Sequence, residues 1–237
     1  MIRDLIHFAK LSAEVYGDLQ TISLPNQTNK NIYDKNGTQA VSISTPEHVV
    51  IIFRGTEPTE MADIAADLKT FQTKGSLGKG DVHVGFKDAL DEIWEELNLW
   101  VTEHKHNKKI ITCGHSLGGA LATLCASRLS ADLCYTYGSP KVGDSNWVSG
   151  FTTKHYRVVN NNDIVPKVPL YLMGYRHTCD PVYLSYTGKI SRMTFIQRII
   201  DSVRGRLKAM SKLQFFDSIY DHNISEYIRF LKVNITN

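Results

Sequence analysis

No run of apolar residues in this chain approaches the roughly 20 needed to cross a bilayer. The opening Met-Ile-Arg-Asp-Leu-Ile-His-Phe-Ala-Lys is broken by charge where a secretory leader would be uninterrupted. Cysteine is sparse: Cys113, Cys125, Cys134 and Cys179 share no CxxC and no paired spacing, and each has apolar or strand-like neighbours. That argues for buried free thiols, and so for a reducing compartment. Together these absences predict a cytoplasmic protein, or one released without a classical leader. Excess charge is lacking too. The formal balance is +3 over 237 residues, too little to imply a nucleic-acid partner. There is no G-x-x-x-x-G-K-[ST], and no G-x-G-x-x-G opens the first strand–helix unit, so a phosphate cradle is excluded. Nor is there a repeat, a low-complexity tract or a linker, and residues 1–237 read as a single domain.

What is present is an alternation of strands and helices. Leu5, Ile6, Ala9, Ser12, Ala13 and Tyr16 fall at helical spacing within Ile2–Tyr16, which closes at Gly17. Asn31–Lys35 and Ala40–Ser44 flank Asn36-Gly37, a pair that supplies the positive φ angles of a hairpin turn. His48–Phe53 is apolar on both faces, as a central strand requires. After a short strand over Val82–Val84, Phe86–His104 sets Leu90, Ile93, Trp94, Leu97, Trp100 and Val101 on one helical stripe. Strands over Lys109–Cys113, Cys134–Tyr137, His155–Val159 and Val182–Ser185 follow, with a helix over Ala120–Leu129. This order predicts an α/β fold with a mostly parallel central sheet and helices on both faces.

In such a sheet the working crevice lies at the carboxyl ends of the strands. There, past Lys109–Cys113, stands Gly114-His-Ser-Leu-Gly118. The glycines flank Ser116 where side chains would clash in a sharp strand-to-helix turn, and the helix start offers unpaired N–H groups to an oxyanion. The competing reading is a glycine-rich turn packed on a strand, because the pentapeptide also arises by chance. A nucleophilic serine needs a base and an orienting acid, and on an α/β-hydrolase scaffold they follow it in the chain, the acid before the histidine. Asp163 lies just past His155–Val159, whereas Asp144 lies in a Gly/Pro turn where aspartate commonly bonds its own backbone. Among later histidines, His155 opens a strand at the opposite edge. His222 sits at the mouth of the last helix, and His177 stays open by order alone.

Six segments then occur in a telling order: Ile52-Phe-Arg-Gly-Thr56, Val82-His-Val-Gly-Phe86, Thr112-Cys-Gly-His-Ser-Leu-Gly-Gly-Ala120, Tyr135-Thr-Tyr-Gly-Ser-Pro-Lys-Val-Gly143, Asn162-Asp-Ile-Val-Pro166 and Asp221-His222. Together they resemble the class 3 (fungal-type) triacylglycerol lipase family, within the α/β-hydrolase fold, from roughly Ile32 to the C-terminus. The resemblance implies Ser116 as nucleophile, Asp163 as acid and His222 as general base. It places the oxyanion donors on the backbone N–H groups of Thr56 and Leu117, and calls for no metal or organic cofactor. The implied activity is carboxylester hydrolysis of acylglycerol-type esters through an acyl-enzyme, with transient contact to a lipid surface. A phospholipase A1-like or galactolipid acyl hydrolase, and a non-catalytic scaffold, are the alternatives.

Two segments stand apart. Residues 57–69 occupy the place of the lid helix of the resembling lipases, with Met61, Ile64, Ala65 and Leu68 on one helical face and Glu60, Asp63 and Asp67 on the other. The family often has tryptophan where Ile64 stands, which implies modest or no interfacial activation. Between Lys189 and Lys212, Met193, Ile196, Ile200, Val203, Leu207 and Met210 recur at spacings of three and four, among seven basic residues and one acid, Asp201. The expectation is a helix packing that stripe on the core with its basic face in water, the alternative being a helix lying on anionic lipid.

Overall fold

The computed structural model describes residues 1–56, 72–74, 80–191, 193–211 and 221–235. The proposed lid, residues 57–69 with Met61, Ile64 and Leu68, lies outside the described residues. The chain opens with α1 (Ile2–Glu14), then the hairpin β1 (Asn29–Lys35) and β2 (Thr38–Ser44), and β3 (His48–Phe53). Next come β4 (Gln72–Lys74), β5 (Asp81–His83), α2 (Val84–Lys105), β6 (Lys109–His115), α3 (Leu117–Leu129) and β7 (Leu133–Tyr137). They are followed by β8 (Gly143–Asp144), α4 (Ser145–Ser149), β9 (Lys154–Asn160), β10 (Tyr175–Arg176), β11 (Val182–Leu184) and β12 (Ile190–Ser191). Two helices, α5 (Phe195–Ser211) and α6 (Ile224–Val233), complete the described chain.

The main sheet runs β1-β2-β3-β6-β7-β9-β11-β12. Strands β3, β6, β7, β9 and β11 are mutually parallel, and the hairpin at one edge and β12 at the other are antiparallel. Strand β3 shows why both faces must be covered. Val49, Ile51 and Phe53 bury beneath α2 and α3, while Val50 and Ile52 bury with Ile111, Cys113 and Tyr137 beneath α1 and α6. Each such fully buried branched or aromatic side chain contributes about 1.5–3 kcal/mol. The short strands β10-β8-β5-β4 make a second, antiparallel sheet. Of these only β5 was foreseeable, expected over Val82–Val84 and found over Asp81–His83 with Val84 opening α2, because segments of two or three residues carry no readable period.

One expectation is overturned. α5 does not turn its apolar stripe to the core: Ile196, Ile199, Ile200 and Val203 are exposed, and Asp201 and Gly205 face inward. The reason is local. Asp201 accepts hydrogen bonds from the Tyr183 hydroxyl and the Tyr186 N–H, each at 3.0 Å, and those polar contacts fix the helix roll.

Candidate active site

Strand β6 sits mid-sheet, with Gly114 paired to Phe53 on one side and Thr136 on the other, so its end emerges between two neighbours. Immediately after it, Ser116 takes φ 58° and ψ −129°, a backbone that L-residues avoid. Its N–H donates to the Tyr137 carbonyl at 3.0 Å, and its own carbonyl starts α3 by accepting from Gly119 N–H at 2.9 Å. The turn is so tight that a Cβ on Gly114 would lie 2.3 Å from the Gly118 carbonyl oxygen. The two flanking glycines are therefore a steric requirement of the elbow, and the serine between them is held in strain.

Asp163 follows β9, fully buried, and His222 precedes α6 with almost no exposure. The His222 Nδ1 lies 2.8 Å from both Asp163 carboxylate oxygens. With Nδ1–H donating there, Nε2 is the free base position, and that buried atom has no hydrogen-bond partner among the described residues. Gly138, at φ +60° just past β7, leaves room for the acid–imidazole pair: a Cβ there would lie 2.8 Å from both Asp163 Oδ2 and His222 Cε1. Since Ser116 N–H bonds Tyr137 and Gly138 follows it, the ends of β6, β7 and β9 bring the serine, the acid and the histidine to the same edge of the sheet.

A second ring of side chains fixes these groups. Asp163 Oδ1 accepts from Val165 N–H at 2.9 Å, and Oδ2 accepts from the Tyr227 hydroxyl. Tyr227 in turn accepts from Asn160 N–H at 3.2 Å. Burial, then the negative Asp163, push the Tyr227 phenol well above its ordinary range, so it stays a donor. Asn160 Nδ2 donates to the Asp221 carbonyl at 2.9 Å, and Asn162 N–H donates to Asp221 Oδ2 at 3.1 Å, clamping the 221–222 turn to the end of β9. His115, beside the serine, donates from Nε2 to the His222 carbonyl at 2.7 Å. Burial first, then the electrostatic influence of the adjacent imidazole ring, hold His115 well below the usual imidazole range. It is therefore neutral, and its Nδ1 accepts from the Tyr16 hydroxyl at 2.9 Å. Lys141 is buried behind the Asp163 loop and donates to the carbonyls of Lys167 and Pro169 at 2.6 and 2.9 Å. Burial, with help from Arg157 and Arg176, lowers it to about 8.

Leu117 opens α3, where no preceding turn supplies a carbonyl to its N–H. Leu117 and Thr56 both line a cleft of about 520 Å³, walled also by Asn36, Arg54, Ala89 and Leu121. The rival candidates lie elsewhere. Asp144 caps α4 by accepting from Trp147 N–H at 2.8 Å, and His177 donates to the Pro166 carbonyl at 2.8 Å. Among the described residues no three His, Cys, Asp or Glu side chains converge as metal ligands.

Residues 50–173 match the family described as Lipase (class 3), which is more than half of the chain. The chain belongs to the class 3 lipase family. It is 40% identical over 113 residues to secreted mono- and diacylglycerol lipase 1 of Fusarium solani, covering 44% of this chain and 34% of that one. To secreted mono- and diacylglycerol lipase A of Penicillium cyclopium it is 33% identical over 187 residues, covering 73% and 60%. Among solved structures, Rhizomucor miehei triacylglyceride lipase superposes with a TM-score of 0.68 at 25% identity, over 77% of this chain and 80% of that one. The chain has the α/β-hydrolase fold. It spans about a third to three fifths of the length of the two curated relatives, 34% and 60%.

The relatives correct the expected cytoplasmic location, since both are named as secreted. The thiols had suggested a reducing compartment, but Cys113, Cys125 and Cys134 are buried without trace of exposure. Burial pushes all three thiols up, Cys134 to about 12. An inert, protonated thiol packs equally well in either compartment. Sequence reasoning also missed His115, Tyr16, Tyr227 and Lys141. Tyr227 carried a signal, because helical spacing from the Asn223 cap sets it on the face that meets β9. Tyr16 carried none, since it merely ended a helix pattern.

Proposed function

We propose that this class 3 lipase is an extracellular serine carboxylester hydrolase acting on acylglycerol-type esters. The observation that carries the reading is the His222 Nε2, buried and without a hydrogen-bond partner among the described residues, opposite an Nδ1 held by Asp163, together with the strained Ser116 elbow. Ser116 Oγ attacks the ester carbonyl and passes its proton to His222 Nε2, while Asp163 balances the imidazolium. The oxyanion meets the N–H groups of Leu117 and Thr56, and losing one such donor costs about 2.7–4 kcal/mol of barrier. His222 returns the proton to the departing alcohol, and water activated by the same imidazole releases the fatty acid.

Support for the substrate class comes from the two relatives, named mono- and diacylglycerol lipases, and from the Rhizomucor triacylglyceride lipase. Titration of acid released from mono-, di- and triacylglycerol emulsions tests it. Release from at least one class should fall by about 10⁴-fold or more in Ser116→Ala. Folded wild-type protein that releases no acid from any acylglycerol would refute the reading.

A further inference from the structure

α5 is mounted inside out for a core helix. Ile196, Ile199, Ile200 and Val203 are 68%, 49%, 47% and 52% exposed, and their spacing of three and four gathers them on one stripe. The opposite side is polar and occupied. Asp201 is held by Tyr183 and Tyr186, Ser202 Oγ donates to Asn162 Oδ1, and a Cβ on Gly205 would lie 2.1 Å from Asn161 Nδ2. Four contiguous branched apolar side chains facing water mark an interaction surface.

Charge identifies what covers that surface. Lys189–Lys212 holds seven basic residues and one acid, and that acid points inward. Lys189 and Arg204 are exposed, and the outer face shows no carboxylate among its described side chains. The complement of an exposed apolar stripe on so basic a segment, with Arg204 exposed next to Val203, is an anionic lipid surface, which is apolar below its head groups and negative at them. Position agrees. Because α5 rests on Asn161 and Asn162, next to Asp163, its outer stripe belongs to the catalytic end of the sheet. A second apolar projection lies at that end: Leu170, Tyr171, Leu172 and Met173 are 48%, 53%, 97% and 41% exposed, on the segment that Lys141 anchors past β7.

We infer that α5 lies flat on an anionic lipid surface, with the Leu170–Met173 turn entering beside it, and so sets the crevice at the lipid. Its purpose rests on the ester-hydrolase reading, but the docking does not depend on catalysis. The test uses the full chain carrying Ser116→Ala, so that no lipid is consumed, sedimented with vesicles of phosphatidylcholine alone or mixed with phosphatidylglycerol. Binding to the mixed vesicles should be tighter by about tenfold or more and should weaken with salt. Adding Ile200→Glu with Val203→Glu should lower it by about tenfold or more. In the Ser116 background that pair should leave p-nitrophenyl butyrate hydrolysis unchanged. Arg204→Gln, which spares the stripe, should reduce the anionic preference even where the double variant misfolds. Equal binding to both vesicle types, or full binding by the folded double variant, would overturn the inference. Vesicle binding as expected, with no ester turnover by wild type, would instead sink the enzymatic reading and leave the docking standing.

Discussion

His222 Nδ1 stands 2.8 Å from each oxygen of the Asp163 carboxylate, and both side chains are shut away from water. A buried carboxylate is costly unless its lone pairs are met. Here Tyr227, Val165 and His222 meet them, so the acid is held in one position and the imidazole is oriented with Nε2 away from the carboxylate.

Tyr227→Phe removes one of those donors and leaves Asn160 N–H without its acceptor. Stability should fall by about 1.5–3 kcal/mol, the usual range for a lost bond to a charged group. Urea unfolding reads this as a lower midpoint, and an unchanged midpoint would contradict the bond.

His115→Phe keeps an aromatic ring against His222, whose centroid lies 4.5 Å away, but loses the Nε2–H bond to the His222 carbonyl. The imidazole then loses a restraint without losing a reacting atom. We expect kcat to drop about ten- to a hundredfold with KM little changed, because small misplacements of catalytic groups cost that much. A variant altered in KM alone would show that His115 does not position the base.

Strain at Ser116 separates stability from activity. Glycine accepts φ near 58° freely, whereas alanine suffers as serine does. Ser116→Gly should therefore be more stable than Ser116→Ala by about 1–2 kcal/mol, with both inactive. Equal thermal midpoints would deny the strain.

Lys141 supplies a pH signature. Its proton leaves the folded protein near pH 8 and the unfolded chain near 10.5. Between those values the unfolded state holds the extra proton, so stability rises with pH, by at most about 1.4 kcal/mol per unit. Below pH 8 the burial penalty is constant. Lys141→Met should lose this alkaline rise, which thermal denaturation from pH 7 to pH 10 would follow. A parallel profile in the variant would assign the rise to another group.

Much of this was legible in the chain itself. The run His48–Phe53, apolar on both faces, reads directly as a central strand, and among the residues that the six motif segments single out, Asp163 and His222 lie in hydrogen-bond contact. Asp144 behaved as its Gly/Pro turn suggested, as a local cap. What escaped the sequence depends on tertiary contact. The roll of α5 is decided by Asp201 meeting Tyr183 and Tyr186, which a periodicity of apolar residues cannot reveal. The bond from Tyr16 to His115 spans 99 positions of chain, so no local pattern announces it. The cytoplasmic expectation failed for a chemical reason, since buried thiols are indifferent to the compartment around them.

The central claim is that Ser116 is a nucleophile activated by His222. A fluorophosphonate probe, followed by peptide mass spectrometry, tests it most directly. One adduct should form, on Ser116, absent in Ser116→Ala and slowed by about 10⁴-fold in His222→Ala. Labelling that survives Ser116→Ala, or folded wild-type protein that takes no label, would contradict the account.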